Sequence, residues 1–157
     1  MTCKKQQVKD FFIKCFYSIS STEEKVLESI SSGKLTLNEV HLISAVFKAK
    51  TAGKNTFSMV AKILDITLGT LTTSFNRLSK KGYLTKVPHE KDKRKFYIEP
   101  TSLAESIHKE HTVFHDKMFE GMMNSVSNDQ LDIMIDSLDK LTKFFVQLKA
   151  DYIKNNT

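Results

Sequence analysis

Residues 54–98, KNTFSMVAKILDITLGTLTTSFNRLSKKGYLTKVPHEKDKRKFYI, decide how this chain folds. They contain a short helical segment, a turn, a second helical segment and two segments that can pair as strands around a charged tip. In the second helical segment Leu71, Phe75 and Leu78 recur at i, i+4 and i+7, the spacing that turns one stripe of a helix towards a core. The pattern predicts a helix-turn-helix followed by a tight hairpin with strands over residues 84–87 and 95–98, in which Phe96 and Ile98 face inward and Lys95 and Tyr97 face outward.

The ends and the polar face of the second helix are also informative. Thr67 is a residue type that caps helix N-termini, and Gly82 stands where a helix ending at Lys81 needs a left-handed residue. The face opposite the apolar stripe carries short hydroxyls, an amide and cations but no acid. Such groups can reach base edges in a DNA major groove, while Arg and Lys bind phosphates. The candidate DNA-binding residues of this helix are Thr67, Gly69, Thr70, Thr72, Thr73, Asn76, Arg77 and Lys80.

Positive charge is concentrated in this same stretch, residues 54–98, which we call the reader module. Residues 54–96 contain ten Lys or Arg against three acids, a net charge of +7, whereas the whole chain carries +6, so the remaining residues sum to −1. An ordinary amphipathic helix also has a polar face, but a basic module in an otherwise neutral chain is typical of a nucleic-acid reader. The cations of the hairpin tip join the candidate DNA-binding residues: Lys91, Lys93 and Arg94.

The composition is that of one soluble globular domain. The chain has 157 residues, of which 40% are hydrophobic and 27% charged, and this length is sufficient for one core. No run approaches 18 apolar residues, and the N-terminal MTCKKQQVKD lacks the apolar region of a signal peptide, so we expect a cytoplasmic protein. The phosphate-binding loop, the nucleophile elbow and the H-E-x-x-H motif are missing, so we expect no enzymatic activity.

Helical patterns flank the reader module on both sides. Apolar residues at helical spacing predict a first helix over residues 4–20, which residues 20–22 can interrupt before the pattern continues to about Gly33. Thr36 and Glu39 match the capping box that opens a second helix. After the hairpin a long helix is predicted to about residue 126, and a second capping box opens the last helix.

The last helix carries an apolar stripe that is longer than one small module needs. Spacings of three and four alternate without a fault over seven residues, which we call the C-terminal seam: Leu131, Met134, Leu138, Leu141, Phe145, Leu148 and Tyr152. Such a stripe predicts a helix–helix interface, either within the protomer or across a dimer.

The order of these elements resembles the MarR family of winged helix-turn-helix regulators. The resemblance covers residues 35 to about 150 and is carried by LTLNEVHLISAV, GTLTTSFNRLSKKGYL and HEKDKRKFYIEPT. It implies a mainly α-helical protomer of six helices with a small β-wing, which forms a homodimer on double-stranded DNA with a pseudo-palindromic operator. Residues 4–50 and 102–154 would be the dimerisation helices of a single domain, residues 1–157, and residues 54–98 its DNA-binding module.

The hairpin tip matches the Asp-x-Arg wing pattern of that family. The resemblance implies that Arg94 enters a minor groove and that Asp92 helps to hold the wing. Pro100 departs from the family, which usually has Leu before the residue equivalent to Thr101.

Within the family, the sequence resembles the repressors of fatty-acid synthesis. The features that carry this resemblance are TLGTLTTS at the start of the second reader helix, the pair Glu39 and His41, and the histidine series His108, His111 and His115. It implies a repressor of fatty-acid biosynthesis genes whose DNA affinity rises with long-chain acyl groups on acyl carrier protein, and no other cofactor. We expect a dry tunnel for the acyl chain, lined by Phe12, Phe16, Ile43, Phe47, Phe114 and Met118.

The histidines leave an alternative open. His108, His111 and His115 lie at i, i+3 and i+7 on one helical face, and His41 can approach them, so three or four imidazoles could hold zinc in a zinc-responsive repressor. They could equally form hydrogen bonds or line the effector pocket. The nearest carboxylates in sequence are not clearly placed: Glu39, Glu105 and Glu110. A lesser alternative is redox sensing through Cys15, although cysteine on an apolar stripe is more often a small buried residue.

Overall fold

The computed structural model describes residues 3–89, 92 and 95–154. Within them the chain forms six α-helices and one antiparallel pair of strands, which confirms the predicted class, mainly α with a small β-wing. None of the described helices combines the length and the apolar character that a membrane crossing requires. The elements are α1 Cys3–Ser31, α2 Leu37–Thr51, α3 Phe57–Leu64, α4 Leu68–Lys80, β1 Leu84–Pro88, β2 Phe96–Pro100, α5 Ser102–Met123 and α6 Asn128–Lys154.

The chain divides into two compact units, Met1–Phe114 and His115–Thr157. The first contains α1 to α4, the hairpin and the first half of α5, and the second contains the rest of α5 and α6. The division falls inside a continuous helix and not in a linker. The prediction of a single domain over residues 1–157 stays a prediction.

The first helix is continuous over 29 residues, so residues 20–22 do not interrupt it as expected. The Thr22 hydroxyl donates to the Ser18 carbonyl at 2.7 Å, which satisfies that side chain inside the helix instead of drawing the backbone into a turn. α1 ends where Ser32 and Gly33 adopt left-handed backbone angles, with φ of 50° and 70°.

The core of the first unit is formed by α2, α3, α4 and the hairpin. Val40, Ile43 and Val46 line the inner face of α2 and are fully buried, as are Leu71 in α4 and Ile98 in β2. The predicted capping box of α2 is present and fixes where that helix begins. Helix α2 therefore serves as the platform against which the reader module packs.

The hairpin is attached to the loop before α3 as well as to itself. Its strands pair from Leu84 with Pro100 to Pro88 with Phe96, and every bound lies within two residues of the predicted strands 84–87 and 95–98. The Ile98 backbone N–H donates to the backbone carbonyl of Asn55 at 2.8 Å, and the side-chain amide of Asn55 donates to the Ile98 carbonyl at 2.9 Å. These two bonds extend the sheet by one short segment.

The orientation of the β2 side chains agrees only in part with the predicted alternation. Ile98 is buried as expected, but Tyr97, which we expected to face outward, is half-buried and stacks on His89 at 4.7 Å between ring centroids. An aromatic ring covers apolar surface more favourably than it exposes it, so Tyr97 lies along the sheet.

In the second unit, helix α6 leaves most of the C-terminal seam accessible. Leu131, Met134 and Leu141 are half-buried. The other seam residues are between 48% and 72% exposed: Leu138, Phe145, Leu148 and Tyr152. The chain alone therefore does not cover this stripe.

Candidate nucleic-acid interface

Helices α3 and α4 are separated by a short turn with a cap on each side. The backbone N–H of Met59 donates to the Thr56 hydroxyl at 3.4 Å at the start of α3, and that of Thr70 donates to the Thr67 hydroxyl at 3.1 Å at the start of α4. Between them Asp65 ends α3 in a left-handed conformation with φ of 54°. The helix-turn-helix is therefore built locally, as predicted.

The inner stripe of α4 fixes which face the helix presents. Leu71, Phe75 and Leu78 are buried, and the Phe75 ring packs edge-on against Phe57 with 4.9 Å between centroids. The structure brings the predicted helical DNA contacts together on the opposite, exposed face: Thr67, Gly69, Thr70, Thr72, Thr73, Asn76, Arg77 and Lys80. This face carries no acid. It belongs to an α-helix, the element that a DNA major groove admits.

The hydroxyl groups on this face are partly engaged within the helix. Thr72 donates to the Leu68 carbonyl at 2.8 Å, and Thr73 donates to the Gly69 carbonyl at 3.1 Å. With their hydrogens used, these hydroxyl oxygens can still accept bonds from the amino groups of adenine or cytosine. Asn76, whose amide both donates and accepts, is then the most versatile base-reading group of the face.

The far end of α4 is tied to the start of α2. The Lys81 ammonium lies 2.8 Å from both carboxylate oxygens of Glu39 and donates to the Lys34 carbonyl at 2.9 Å. Burial raises the pKa of Glu39, but bonds from Lys81 and from the Thr36 N–H, together with the Lys81 charge, outweigh it and hold that pKa below the ordinary 4.5. Glu39 therefore stabilises both the start of α2 and the end of α4. Its contact with Lys81 spans 42 positions of the sequence and was not predicted.

The tip of the hairpin carries three predicted contacts, Lys91, Lys93 and Arg94, which lie outside the described residues. Asp92 was expected to hold the wing. Its carboxylate lies 3.5 Å from the Lys95 ammonium, and its backbone carbonyl accepts the Lys95 N–H at 2.9 Å.

The back of the hairpin is fixed to α2 by Glu99. Its carboxylate accepts bonds from Lys50 at 2.6 Å and from Asn55 at 2.8 Å. Burial raises the pKa of Glu99, but the bonds from Lys50 and Asn55 and the Lys50 charge lower it by more. The pKa of Glu99 therefore lies below the ordinary 4.5. The orientation of the wing thus depends on residues far from its tip.

A groove of about 500 Å³ separates the start of α4 from the hairpin. Its described lining includes two lysines, two hydroxyl side chains and two phenylalanine rings, and none of the described lining residues is acidic. The lining residues are Thr56, Phe57, Ser58, Leu68, Lys86, His89, Lys95 and Phe96.

The residues of the predicted acyl tunnel fall into separate places. Ile43 is fully buried in the core, whereas Phe12 and Phe16 are 42% and 68% exposed and line an open groove on α1. Phe47 is half-buried against the core, Phe114 is half-buried, and Met118 is half-buried in the second unit. Among the described residues of one chain, these side chains do not surround a common described cavity, so the tunnel stays a prediction.

His108 has different neighbours from His41 and His111. The ring of His108 stacks on Phe47 at 4.2 Å between centroids, with its Nδ1 3.4 Å from the Ser44 hydroxyl, and burial lowers the pKa of His108. His41 and His111 instead share a different neighbour, because the Nε2 atom of each lies 3.6 Å from Oε1 of Glu23.

Glu23 is a functional candidate that the sequence reasoning missed. Its side chain is 10% exposed and that of His111 is 7% exposed, so both are buried. The available signal was its place on the apolar stripe of α1, four residues before the buried Leu27. His115 follows His111 by one helical turn, in the second unit.

Comparison with known proteins gives one family and a consistent set of structures. The sequence model described as "Transcriptional regulator SarA/Rot" matches residues 17–111. No curated protein matches the sequence. The structure is similar to Streptococcus pneumoniae FabT in complex with DNA, with 31% identity, a TM-score of 0.82 and coverage of 92% of this chain and 99% of that chain.

Two further structures share the fold at lower identity. One is the S. aureus MepR–DNA complex, with 17% identity, a TM-score of 0.70 and coverage of 88% of this chain and 97% of that chain. The other is a MarR family transcription regulator, with 14% identity, a TM-score of 0.74 and coverage of 94% and 93%. The predicted six-helix fold with a β-wing is thereby confirmed.

Proposed function

Because the chain belongs to the SarA/Rot family of winged-helix transcriptional regulators, we propose that it is a repressor of fatty-acid biosynthesis genes. Its general function is that of a DNA-binding regulator of the MarR type. Membership of a family of transcriptional regulators agrees with the expectation that the chain is not an enzyme. The observation that carries the proposal is the exposed, acid-free face of α4, fixed by the buried stripe on its other side. The fatty-acid assignment is supported by the likeness to S. pneumoniae FabT.

The DNA-bound form is a homodimer that acts in the cytoplasm. The accessible C-terminal seam supports a dimer, because large apolar stripes on a soluble chain mark interaction surfaces. Two-fold symmetry then places two copies of α4 in successive major grooves, so the operator is pseudo-palindromic with half-sites about 10 bp apart. The wing of each protomer crosses the flanking minor groove.

The test of this proposal begins with the operator. Duplexes selected by the protein from a random pool should contain an inverted repeat with about 10 bp between half-site centres. The same repeat should lie in promoters of fatty-acid biosynthesis genes, and a fragment containing it should bind more tightly than a shuffled fragment of equal composition. A selected site without two-fold symmetry would contradict the dimer, and a symmetric site found only elsewhere would contradict the fatty-acid assignment.

The effector of the proposed repressor is a long acyl chain presented on acyl carrier protein, which raises DNA affinity. The open apolar groove on α1, with Phe12 and Phe16, supports an apolar ligand. Each buried CH₂ contributes about 0.8 kcal/mol, so the effect should grow with chain length. Operator titrations with acyl carrier protein loaded with acyl groups of several lengths test this, and the unloaded carrier protein is the control. An equal response to every length would contradict the acyl hypothesis.

A second candidate effector is zinc, favoured by the cluster of Glu23, His41 and His111. Two imidazole nitrogens and a carboxylate are donors that zinc accepts, and ligand atoms about 2.0–2.1 Å from a tetrahedral ion lie about 3.3–3.4 Å apart. The two distances of 3.6 Å from Glu23 to the histidines are close to that spacing, whereas the rings of His41 and His111 have centroids 6.0 Å apart, so one imidazole has to turn towards the ion. The set differs from the one expected from sequence, because His108 is engaged with Phe47 and Ser44. A bound ion would join α1, α2 and α5.

Zinc competition against a chromophoric chelator tests this candidate. His111→Gln and Glu23→Gln should each weaken zinc binding by at least tenfold, whereas the matched control His108→Gln should not change it. Operator affinity should also fall when the chelator removes the metal. Equal losses for His108→Gln and His111→Gln would contradict the assigned ligands. The acyl hypothesis predicts the opposite profile, with chain-length dependence and no response to the chelator.

A further inference from the structure

A cavity of about 360 Å³ in the first unit shares no lining residue with the groove at the start of α4. Its described lining comes from the loop after α1, the end of α4 with the residues that follow it, and the first turn of α5. The lining residues are Lys34, Lys81, Tyr83 and Leu103, and none of them is acidic. The volume lies at the lower end of the range found for sites that hold small organic molecules.

Hydrogen bonds fix these three segments relative to one another. The Thr101 N–H donates to the Tyr83 carbonyl at 3.0 Å, and the Thr101 hydroxyl donates to the Gly82 carbonyl at 2.8 Å. On the other side of the cavity the Lys81 ammonium donates to the Lys34 carbonyl at 2.9 Å. The walls are therefore in place before a ligand arrives, which lowers the entropy cost of binding.

The positive charge at the cavity is only partly neutralised. Both carboxylate oxygens of Glu39 lie 2.8 Å from the Lys81 ammonium, so this pair contributes no net charge. The Lys34 side chain is exposed, and its ammonium forms no ion pair with any residue that the structure describes. The start of α5 adds partial positive charge, because the first backbone N–H groups of a helix have no partner within it. The cavity therefore attracts an anion.

Tyr83 adds a hydrogen-bond donor that the described part of the chain does not use. The residue is only 4% exposed, yet its hydroxyl forms no hydrogen bond with any described residue. Fully buried side-chain oxygens in the described part of the chain all have partners, so this hydroxyl retains contact with solvent, and Tyr83 lines the cavity. Tyrosine hydroxyls usually find a partner when they are buried. The Tyr83 hydroxyl is thus available to an anion in the cavity.

We propose that this cavity binds a small carboxylate with a short apolar body. The carboxylate pairs with the Lys34 ammonium and accepts a hydrogen bond from the Tyr83 hydroxyl. The apolar body packs on the Tyr83 ring and on the side chain of Leu103, which is 47% exposed. One net positive charge matches a carboxylate better than a doubly charged phosphate, and these apolar walls favour a ligand with a body over a bare ion. The inference depends neither on DNA binding nor on the fatty-acid assignment.

Titration of the intact chain with hexanoate, followed by two-dimensional NMR of the backbone amides, tests the position and the chemistry of the site. We expect saturable shifts at Lys34, Tyr83 and Leu103. Hexan-1-ol has a similar body but no charge, whereas acetate and inorganic phosphate have charge but no such body, so each should bind at least tenfold more weakly. Shifts confined to the α1 groove with Phe12 and Phe16 would overturn the proposal, as would equal affinity for hexan-1-ol or phosphate.

Two variants test the assigned contacts. Lys34→Gln and Tyr83→Phe should each weaken hexanoate binding by at least fivefold, whereas the matched control Lys25→Gln, an exposed lysine of α1, should not change it. The thermal midpoint separates a ligand contact from a structural role, because a hydroxyl without a partner can be removed without loss of stability. Without ligand, Tyr83→Phe should therefore have a midpoint equal to or above that of wild type. Unchanged hexanoate affinity in both variants, or a lower midpoint for Tyr83→Phe, would overturn the proposal.

Discussion

The reader module and the long terminal helices expose opposite kinds of surface. In the reader module the inner stripe of α4 is buried, and the outer face presents hydroxyls, an amide and cations. Along α1 and α6 many large side chains are exposed instead, including Phe11 at 65%, Phe16 at 68% and Tyr152 at 72%. Both kinds of helix have clear apolar periodicity, so periodicity alone does not say whether a stripe is covered within the chain.

This difference teaches where each region finds its packing partner. Helix α4 finds it within the same chain, in α3 and the hairpin, and its free face is left for DNA. The stripes of α1 and α6 are of a size that monomeric soluble proteins rarely leave in water. In the proposed function the second protomer covers the seam of α6, and the α1 groove with Phe12 and Phe16 is left for the acyl chain.

The largest effect is expected from breaking the C-terminal seam. Leu138→Glu places a charge in an apolar interface, where an unpaired buried charge costs several kcal/mol. Because Leu138 is 48% exposed in the single chain, the monomer should tolerate the change and stay helical. Light scattering should therefore show folded monomers that no longer bind the operator.

The control for this variant adds the same charge away from the seam. Gln147→Glu lies on another face of α6, where the Gln147 side chain donates to Asp151 at 2.8 Å, and it should remain a dimer. If Leu138→Glu also remained a DNA-binding dimer, the seam would not be an interface.

A smaller effect is expected from the link between α2 and the end of α4. Glu39→Gln keeps an acceptor for the Thr36 N–H but loses the charge that pairs with Lys81, so the free energy of unfolding should fall by about 1–2 kcal/mol. The dimer should persist, in contrast to the seam variant. Chemical denaturation at neutral pH measures the loss, with the exposed Glu24→Gln as control.

The pH dependence of this link has a definite sign. Because the pKa of Glu39 lies below the ordinary 4.5 in the folded chain, its contribution is present above that value and is lost as the pH falls through the folded pKa. The stability difference between wild type and Glu39→Gln should therefore shrink in acid. A difference that stayed constant down to pH 3 would mean that the charge of Glu39 is not what stabilises the fold.

The reader module was predictable because its signals are local. The caps at Thr56 and Thr67, the inner stripe of α4 and the left-handed Gly82 each depend on residues a few positions apart, and all four are present. The bonds between Asn55 and Ile98 were not predicted, because they join the hairpin to a loop more than 40 residues earlier in the sequence.

The contacts that were not predictable join distant segments. The pairing of Glu39 with Lys81, and that of Glu23 with His41 and His111, depend on how α1, α2 and α5 align, which periodicity does not specify. The expected break in α1 failed for a related reason. Ser and Thr favour turns in isolation, but the Thr22 hydroxyl bonds inside the helix, and the stripe continues to the buried Leu27.

A variant pair on α4 tests whether its outer face reads bases. Thr73→Ala removes an exposed hydroxyl and should cost about 1 kcal/mol on the selected operator and nothing on random DNA. Lys80→Ala should weaken both by the same factor and lower the salt slope by about 1. Gel-shift titrations at two salt concentrations distinguish them. Identical behaviour of the two variants would mean that α4 does not present this face to the bases.

The smallest effect is expected at the attachment of the wing. Glu99→Gln keeps an oxygen that accepts the Asn55 amide but loses the ion pair with Lys50, whose side chain is 47% exposed. Exposed pairs contribute about 0–1 kcal/mol, so the thermal midpoint should hardly change. The loss in the free energy of DNA binding should be slightly larger than the loss in the free energy of unfolding. The reason is that a hairpin held less firmly has to be ordered when it meets the minor groove. Lys48→Gln, an exposed neighbour of Lys50 on α2, is the control. Operator affinity equal to wild type would show that Glu99 does not hold the wing in its DNA-binding orientation, and that the Asn55 bonds alone are sufficient.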